Sequence, residues 1–467
     1  MGPRTHRSRR TRLTAPLLAL ALIVAACGGD EDAPPDDADA APEAPSDAGD
    51  DPEPSGDDGP SGDPITMAVS LPLTGEFSVP GSKHQDGYQF CVDEINARGG
   101  LLDRPVELLV TDNRSDSEVG VTQYERFINV DNADLLLGTF SSLLTFPVSV
   151  VAEQAGMVFP VPSGGALRIW ERGFENLFYF QQAAAEFIGI APAEMLIEYR
   201  DSGLIAEEDF PTTAAVVNAD DFFAAAIANG LVGGEVAIPG TDEVVDLSPG
   251  YLAENGIEVV HTEEWPADYT GWIQLANSIA NSGAEALFVG TASPEEAIEL
   301  IRAMQTVGYQ PDFVYMSQGT QSEFGAALGD GAQGITAQSA WHPEANFPAV
   351  LGGEDYSNQD FISGFEESYG RPPDEDEAIP FASCQGLEQA VRATGTTDNA
   401  VLREWLHGRT PGDAVRTIMG DFSWDDRGLP IDRAHIMTQW QDGQLNFVYP
   451  TDEFPGVVDL IYPKPEW

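Results

Sequence analysis

From residue 64 almost to the C-terminus, short apolar runs alternate with amphipathic segments, and this alternation constrains the fold more than any other feature. Ile65 to Leu71 reads as a strand. Tyr88, Cys91, Val92 and Ile95 then recur at i, i+3, i+4 and i+7, one face of a helix that ends at Gly99-Gly100. Val106 to Val110 is the next strand, followed by a helix over about Glu118 to Val130, strand Leu135 to Leu137, helix Leu144 to Ala155 and strand Val158 to Phe159. Apolar strands separated by helices are buried on both faces, so the pattern implies a parallel sheet covered by helices.

A second series starts at Thr213 to Val217 and continues through Glu258 to His261, a helix with Trp272, Leu275, Ala276 and Ile279 on one face, and strand Ala286 to Val289. Ser293-Pro294-Glu295-Glu296 then opens a helix with an N-cap serine, a proline at the first position and a capping-box glutamate, and strand Phe313 to Met316 follows. Two successive series, in a folding length of 404 residues, predict an α/β protein of two Rossmann-like lobes, each a mainly parallel sheet flanked by helices. Residues 230–250, rich in Gly, Pro and Asp, read as an insertion in the second lobe, and Asp201 to Pro211 as a polar break.

Ahead of the folding region, five arginines precede a 14-residue apolar run, Leu13 to Ala26, which ends in Val24-Ala25-Ala26-Cys27. Charge, apolar core and small-residue cleavage site in that order make residues 1–26 a signal peptide, and the run is too short for a permanent transmembrane helix. Val-Ala-Ala-Cys resembles the lipobox of bacterial lipoproteins, which implies that Cys27 carries the lipid. Residues 28–63 hold 14 Asp and Glu, no Lys or Arg, and otherwise almost only Ala, Gly, Pro and Ser. Such a segment buries too little apolar surface to offset its ordering entropy and reads as a solvated tether. The expected location is extracytoplasmic, anchored to the bacterial cell membrane.

Residues 64–467 carry 17 basic side chains, only Lys83 and Lys464 among them lysines, and a net charge of −46. A body this acidic repels nucleic acid and anionic lipid, so neither is expected as a partner. Only Cys91 and Cys384 remain after Cys27. An extracellular setting permits a disulfide between them, and two buried free thiols fit equally well.

No G-x-S-x-G elbow, Walker loop, G-x-G-x-x-G or H-E-x-x-H motif occurs, and the six His are scattered without metal-ligand spacing. No enzyme activity, metal or cofactor is therefore expected. Polar glycine-rich turns do follow predicted strands: Pro72-Leu73-Thr74-Gly75, Gly138-Thr139-Phe140-Ser141-Ser142, Pro162-Ser163-Gly164-Gly165 and Ser317-Gln318-Gly319-Thr320. Ligands of open α/β sheets bind at such strand ends, and a helix N-terminus after Ser141-Ser142 suits an anionic group.

These turns, with Glu94 to Gly100, Asp112, Ser115-Asp116, Ala152-Glu153, Val158-Phe159-Pro160 and Met419 to Gly428, resemble in order and spacing the extracytoplasmic solute-binding proteins of ABC importers related to the leucine/isoleucine/valine-binding protein. The resemblance covers most of residues 64–450. It implies two lobes joined by three crossovers around a ligand cleft: residues 64–181 and 340–440 in lobe 1, residues 182–339 and 441–467 in lobe 2. It implies a monomer that captures a small polar or carboxylate-bearing metabolite and delivers it to an ABC permease; a sensory receptor of the same fold is the alternative, and a secreted enzyme fits less well. The ligand carboxylate would lie on Ser142, Ser163 and the backbone of Ser141 and Gly164, with Gly165 standing where the family usually has Thr or Ser. Phe222, Gln318 and Trp341 would contact the rest. Gln318 stands near the family's acidic partner for an ammonium, a replacement that argues for amides, short carboxylates or aromatic acids unless Asp220, Asp221 or Glu323 supplies the charge.

Overall fold

The computed structural model describes residues 60–467 apart from 452, 453 and 455. The predicted signal segment, Cys27 and all but the last four residues of the tether lie outside the described residues.

The first sheet has strand order Val106–Asp112, Ile65–Leu71, Leu135–Leu136, all parallel. Gly138 N–H donates to the Pro160 carbonyl at 3.0 Å, which sets the parallel pair Phe159–Val161 and Leu177–Tyr179 alongside. The second sheet has seven strands in the order Gln444–Tyr449, Ile436–Gln441, Thr336–Ser339, Phe313–Met316, Ala286–Gly290, Thr213–Ala219, Glu258–Trp265. Its first two strands pair antiparallel and the rest run parallel. In both sheets the first strand of the series is internal, with successors on either side, so loops diverge at its carboxyl end and leave a crevice.

The helices follow from local signals. Ser293 caps Pro294–Val307 by accepting from Glu296 N–H at 3.4 Å, and Gly308 ends it in the left-handed conformation at φ 70°. Asp116 caps Ser117–Asn129 in the same way. The polar break at 201–211 contains one 3-10 turn, Glu207–Asp209. The insertion is a hairpin of Glu235–Ala237 and Val244–Asp246, whose Val236 is buried in the hydrophobic cluster that also holds Trp170 and Leu177, and whose first strand packs near the helix Leu167–Trp170. A segment rooted in the second lobe thus packs on the first.

After Thr336–Ser339 the chain returns to the first lobe and forms the 20-residue helix Glu375–Thr394. This helix lies against Ser78–Ala97, and Cys91 and Cys384 are joined by a disulfide across the pair, with Cα atoms 6.4 Å apart. Gly87 permits the close approach, since a Cβ there would come within 2.2 Å of the Glu377 carbonyl oxygen. The expected boundary at 440/441 cuts through Ile436–Gln441, whose residues 436–439 pair with Thr336–Ser339 in the seven-stranded sheet; the chain has joined that sheet by residue 436. Among the described residues no helix is long and apolar enough to cross a membrane.

Candidate functional site

A cavity of about 60 Å³ lies between the two sheets. A single water needs roughly 10–15 Å³ of such space, so the volume suits a solute of a few heavy atoms beyond a carboxylate. Ser141, Ser142, Ser163 and Gly164 line it from the first lobe and Ser317, Gln318 and Phe223 from the second.

Ser141 is the N-cap of helix Ser142–Ala155 and has φ 68° and ψ 154°, a costly conformation for a residue with a side chain. Its Oγ accepts from Leu144 N–H at 3.3 Å. The Ser142 Oγ accepts from Ala166 N–H at 3.2 Å. Both hydroxyls therefore spend a lone pair on the backbone and keep their protons for another acceptor. The first-turn N–H groups of the helix have no intrahelical acceptor and face the same end with its positive dipole. Hydroxyl protons, free amides and helix dipole together suit a carboxylate.

Two carboxyls reach the cavity from the helix that returns to lobe 1. Glu375 and Asp376 both line the cavity and are buried. Glu375 accepts from Ser339 Oγ at 2.9 Å, from Ala340 N–H at 2.8 Å and from the Thr320 hydroxyl. Burial nevertheless pushes its carboxyl up to about 7, and burial together with Asp374 raises Asp376 well above the usual range. Asp374, the N-cap, is half-buried, and the Lys83 ammonium holds it below its ordinary value. Lys83 also pairs with Glu323 of the second lobe at 2.6 Å, so one lysine ties both lobes to the head of this helix.

Three expected contacts are placed elsewhere. Gly165 does not line the cavity: a Cβ there would lie 2.5 Å from the Tyr179 hydroxyl oxygen and 3.1 Å from Ala185 N, and it is Tyr179 that faces the cavity. Phe222 sits outside it, edge to face with Phe146 at 5.4 Å and beneath the Arg168 guanidinium at 4.5 Å, where the two lobes touch. Its neighbour Phe223 takes the inward place because Asp221 caps Phe222–Val232 and fixes the helix phase. Trp341 is buried at the second crossover, donating from Nε1 to Asn358 Oδ1 at 2.6 Å and packing on Phe361. The turn 72–75 is likewise outside the cavity, pinned by Asp112, which accepts from Leu73 N–H at 3.0 Å and from Thr74 Oγ at 2.7 Å.

Carboxyls other than the three weighed from the sequence reach the cavity. Asp221 is engaged as a cap and Glu323 as a partner of Lys83, while Glu375 and Asp376 supply carboxyls the residue pattern did not single out. In a chain of 77 Asp and Glu the run Asp374 to Glu377 is inconspicuous; the one available signal was four consecutive acids just ahead of the apolar run Ala378 to Ala382.

The family model described as periplasmic binding protein matches residues 64–234 and 235–444. A Leu/Ile/Val-binding protein homolog from Brucella abortus (strain 2308) is 23% identical over 387 residues, which cover 82% of this chain and 93% of that protein. Among solved structures, the substrate-binding protein of a branched-chain amino acid transporter from Streptococcus pneumoniae, in complex with isoleucine, superposes with a TM-score of 0.65 at 17% identity, covering 86% of this chain and all of that one. A solute-binding protein of an ABC transporter from R. palustris in complex with benzoate gives 0.65 at 18% identity, covering 87% and 98%. With two lobes, a cavity between them and a family match over both, this chain belongs to the periplasmic binding proteins, a family of binding proteins rather than enzymes.

Proposed function

We propose that this protein is a lipid-anchored receptor outside the cytoplasmic membrane that captures a small α-amino acid and delivers it to an ABC permease. The observation that carries the reading is the polarity of one cavity: proton-bearing hydroxyls of Ser141 and Ser142 at a helix head, and the carboxyls of Glu375 and Asp376 lining the same space. Such a cavity matches a zwitterion: the hydroxyls donate to its carboxylate, and its ammonium donates to carboxyl oxygens whose ionisation the added positive charge favours. Phe140, Phe223 and Ile379 line the remainder and favour an apolar side chain. Relatives named for leucine, isoleucine and valine, and a neighbour solved with isoleucine, support that class. The lipobox-like Val24-Ala25-Ala26-Cys27 and the acidic spacer support anchoring, with the tether holding a monomeric body near its permease.

Thermal shift against amino acids, their amides and short or aromatic carboxylates, at low and high salt, tests the reading. A ligand at 100 times its dissociation constant stabilises by about 2.7 kcal/mol. Apolar amino acids are expected to raise the midpoint, and Ser142→Ala to weaken them by about 10- to 100-fold, the value of a hydrogen bond to a charged group. Silence across all amino acids, or binding indifferent to Ser142→Ala, would overturn it.

A further inference from the structure

His84 is fully buried in helix Ser78–Ala97, directly behind the cavity wall, where it packs edge-on against Phe140 with ring centroids 5.2 Å apart. Its two ring nitrogens have different partners. Nδ1 lies 3.0 Å from the Pro80 carbonyl oxygen and Nε2 lies 3.1 Å from Ser163 Oγ. A carbonyl oxygen can only accept, so Nδ1 must carry a proton. Burial drives the imidazole pKa down to about 3, so the ring holds one proton and no more at neutral pH. Nε2 is then a lone pair, and the Ser163 hydroxyl has to donate to it.

A serine hydroxyl has a single proton. Once it is committed to His84, only lone pairs of Ser163 Oγ remain for the cavity that Ser163 lines. Ser142 and Ser141 are wired in the opposite sense, accepting from Ala166 N–H and Leu144 N–H and keeping their protons. Three serines of one residue type thus present two polarities.

We propose that His84 is a positioning residue that turns the Ser163 hydroxyl into an acceptor, so that Ser163 receives a hydrogen-bond donor of the ligand, its ammonium, and not its carboxylate. This reverses the role that resemblance assigns to Ser163. It rests on the amino-acid reading above and deepens it, because Ser163 then belongs with Glu375 and Asp376 at the cationic end. The same wiring disfavours carboxylates that lack an amine, since an anion facing oxygen lone pairs gains nothing from this side chain.

Two measurements test it. Long-range proton–nitrogen spectra of protein labelled with ¹⁵N-histidine, taken at neutral pH without ligand, should show His84 protonated at Nδ1 and bare at Nε2; a proton on Nε2 overturns the proposal whatever the protein binds. Titration calorimetry with leucine and with its deaminated carboxylate then reads the consequence. Ser163→Ala should weaken leucine about 10- to 100-fold and the deaminated acid less than about twofold, the difference being one charge-assisted hydrogen bond. His84→Gln, whose amide can donate to Ser163 and free its proton, should narrow the preference for leucine over the acid. Equal losses for both ligands on Ser163→Ala overturn the proposal while leaving the amino-acid reading intact. Failure of wild type to bind any amino acid overturns that reading, and the histidine spectrum still decides the tautomer.

Discussion

Glu375 shows how a residue common in this chain becomes exceptional by placement. Its carboxyl titrates near 4.5 when unfolded and is pushed up to about 7 in the folded protein by burial. Between those values the folded state holds a proton that the unfolded state has released, so this group's contribution to stability falls as pH rises from about 4.5 to 7 and is flat above. Glu375→Gln removes the titration and keeps acceptor and donor positions for Ser339, Ala340 and Thr320. The stability of the variant relative to wild type should therefore swing in the variant's favour by roughly 2–4 kcal/mol between pH 4.5 and 7.5 without ligand. Denaturant midpoints across that range measure it, and a pH-independent difference would contradict the assignment. Which residues line the cavity was partly legible in the sequence. Ser141, Ser142, Ser163, Gly164 and Gln318 follow strands of a recognisable series and line the cavity. Glu375, Asp376 and Tyr179 were not legible, because a run of acids does not stand out in a chain this acidic and nothing local marks a phenol as facing a cleft.

At the scale of elements, the contact between Ser78–Ala97 and Glu375–Thr394 organises the first lobe. The two helices are brought together by tertiary packing, with Gly87 at the close approach and the Cys91–Cys384 disulfide as a clamp. Their sequence separation is 293 residues, and a cross-link over so long a loop restricts the unfolded chain strongly. Replacing both cysteines by serine should cost about 3–5 kcal/mol, read as a lower urea midpoint with little change in slope. An unchanged midpoint would mean that the bond is not formed or carries no constraint. Because Glu375 and Asp376 open the second helix, loosening the clamp should also weaken ligand binding. The helices and strands themselves were largely legible: Ile65–Leu71, Trp272–Ser282 and Phe313–Met316 announce themselves by periodicity and caps within a few residues. The pairing of the cysteines was not, since spacing in sequence says nothing about distance in space.

The whole molecule is governed by its charge. Residues 64–467 carry a net of −46, and self-repulsion on that scale opposes compaction at low ionic strength. Raising salt from about 0.05 to 1 M shortens the screening length from more than 10 Å to about 3 Å, so the ligand-free melting midpoint should rise. A midpoint that falls with salt would show that the paired charges, Lys83 with Asp374 and Glu323 foremost, outweigh the repulsion. The sequence by itself determined the two-lobed α/β architecture, the order of its strands and helices, and one wall of the cavity, because hydrophobic period, caps and strand-end turns are local properties. Tertiary structure alone decided the other wall. Glu375 and Asp376 lie more than two hundred residues beyond Ser142 and Ser163 and reach the cleft only when the chain recrosses to lobe 1. The direction of the Ser163 hydroxyl is likewise set by a histidine 79 positions earlier, through one hydrogen bond that exists only in the folded chain.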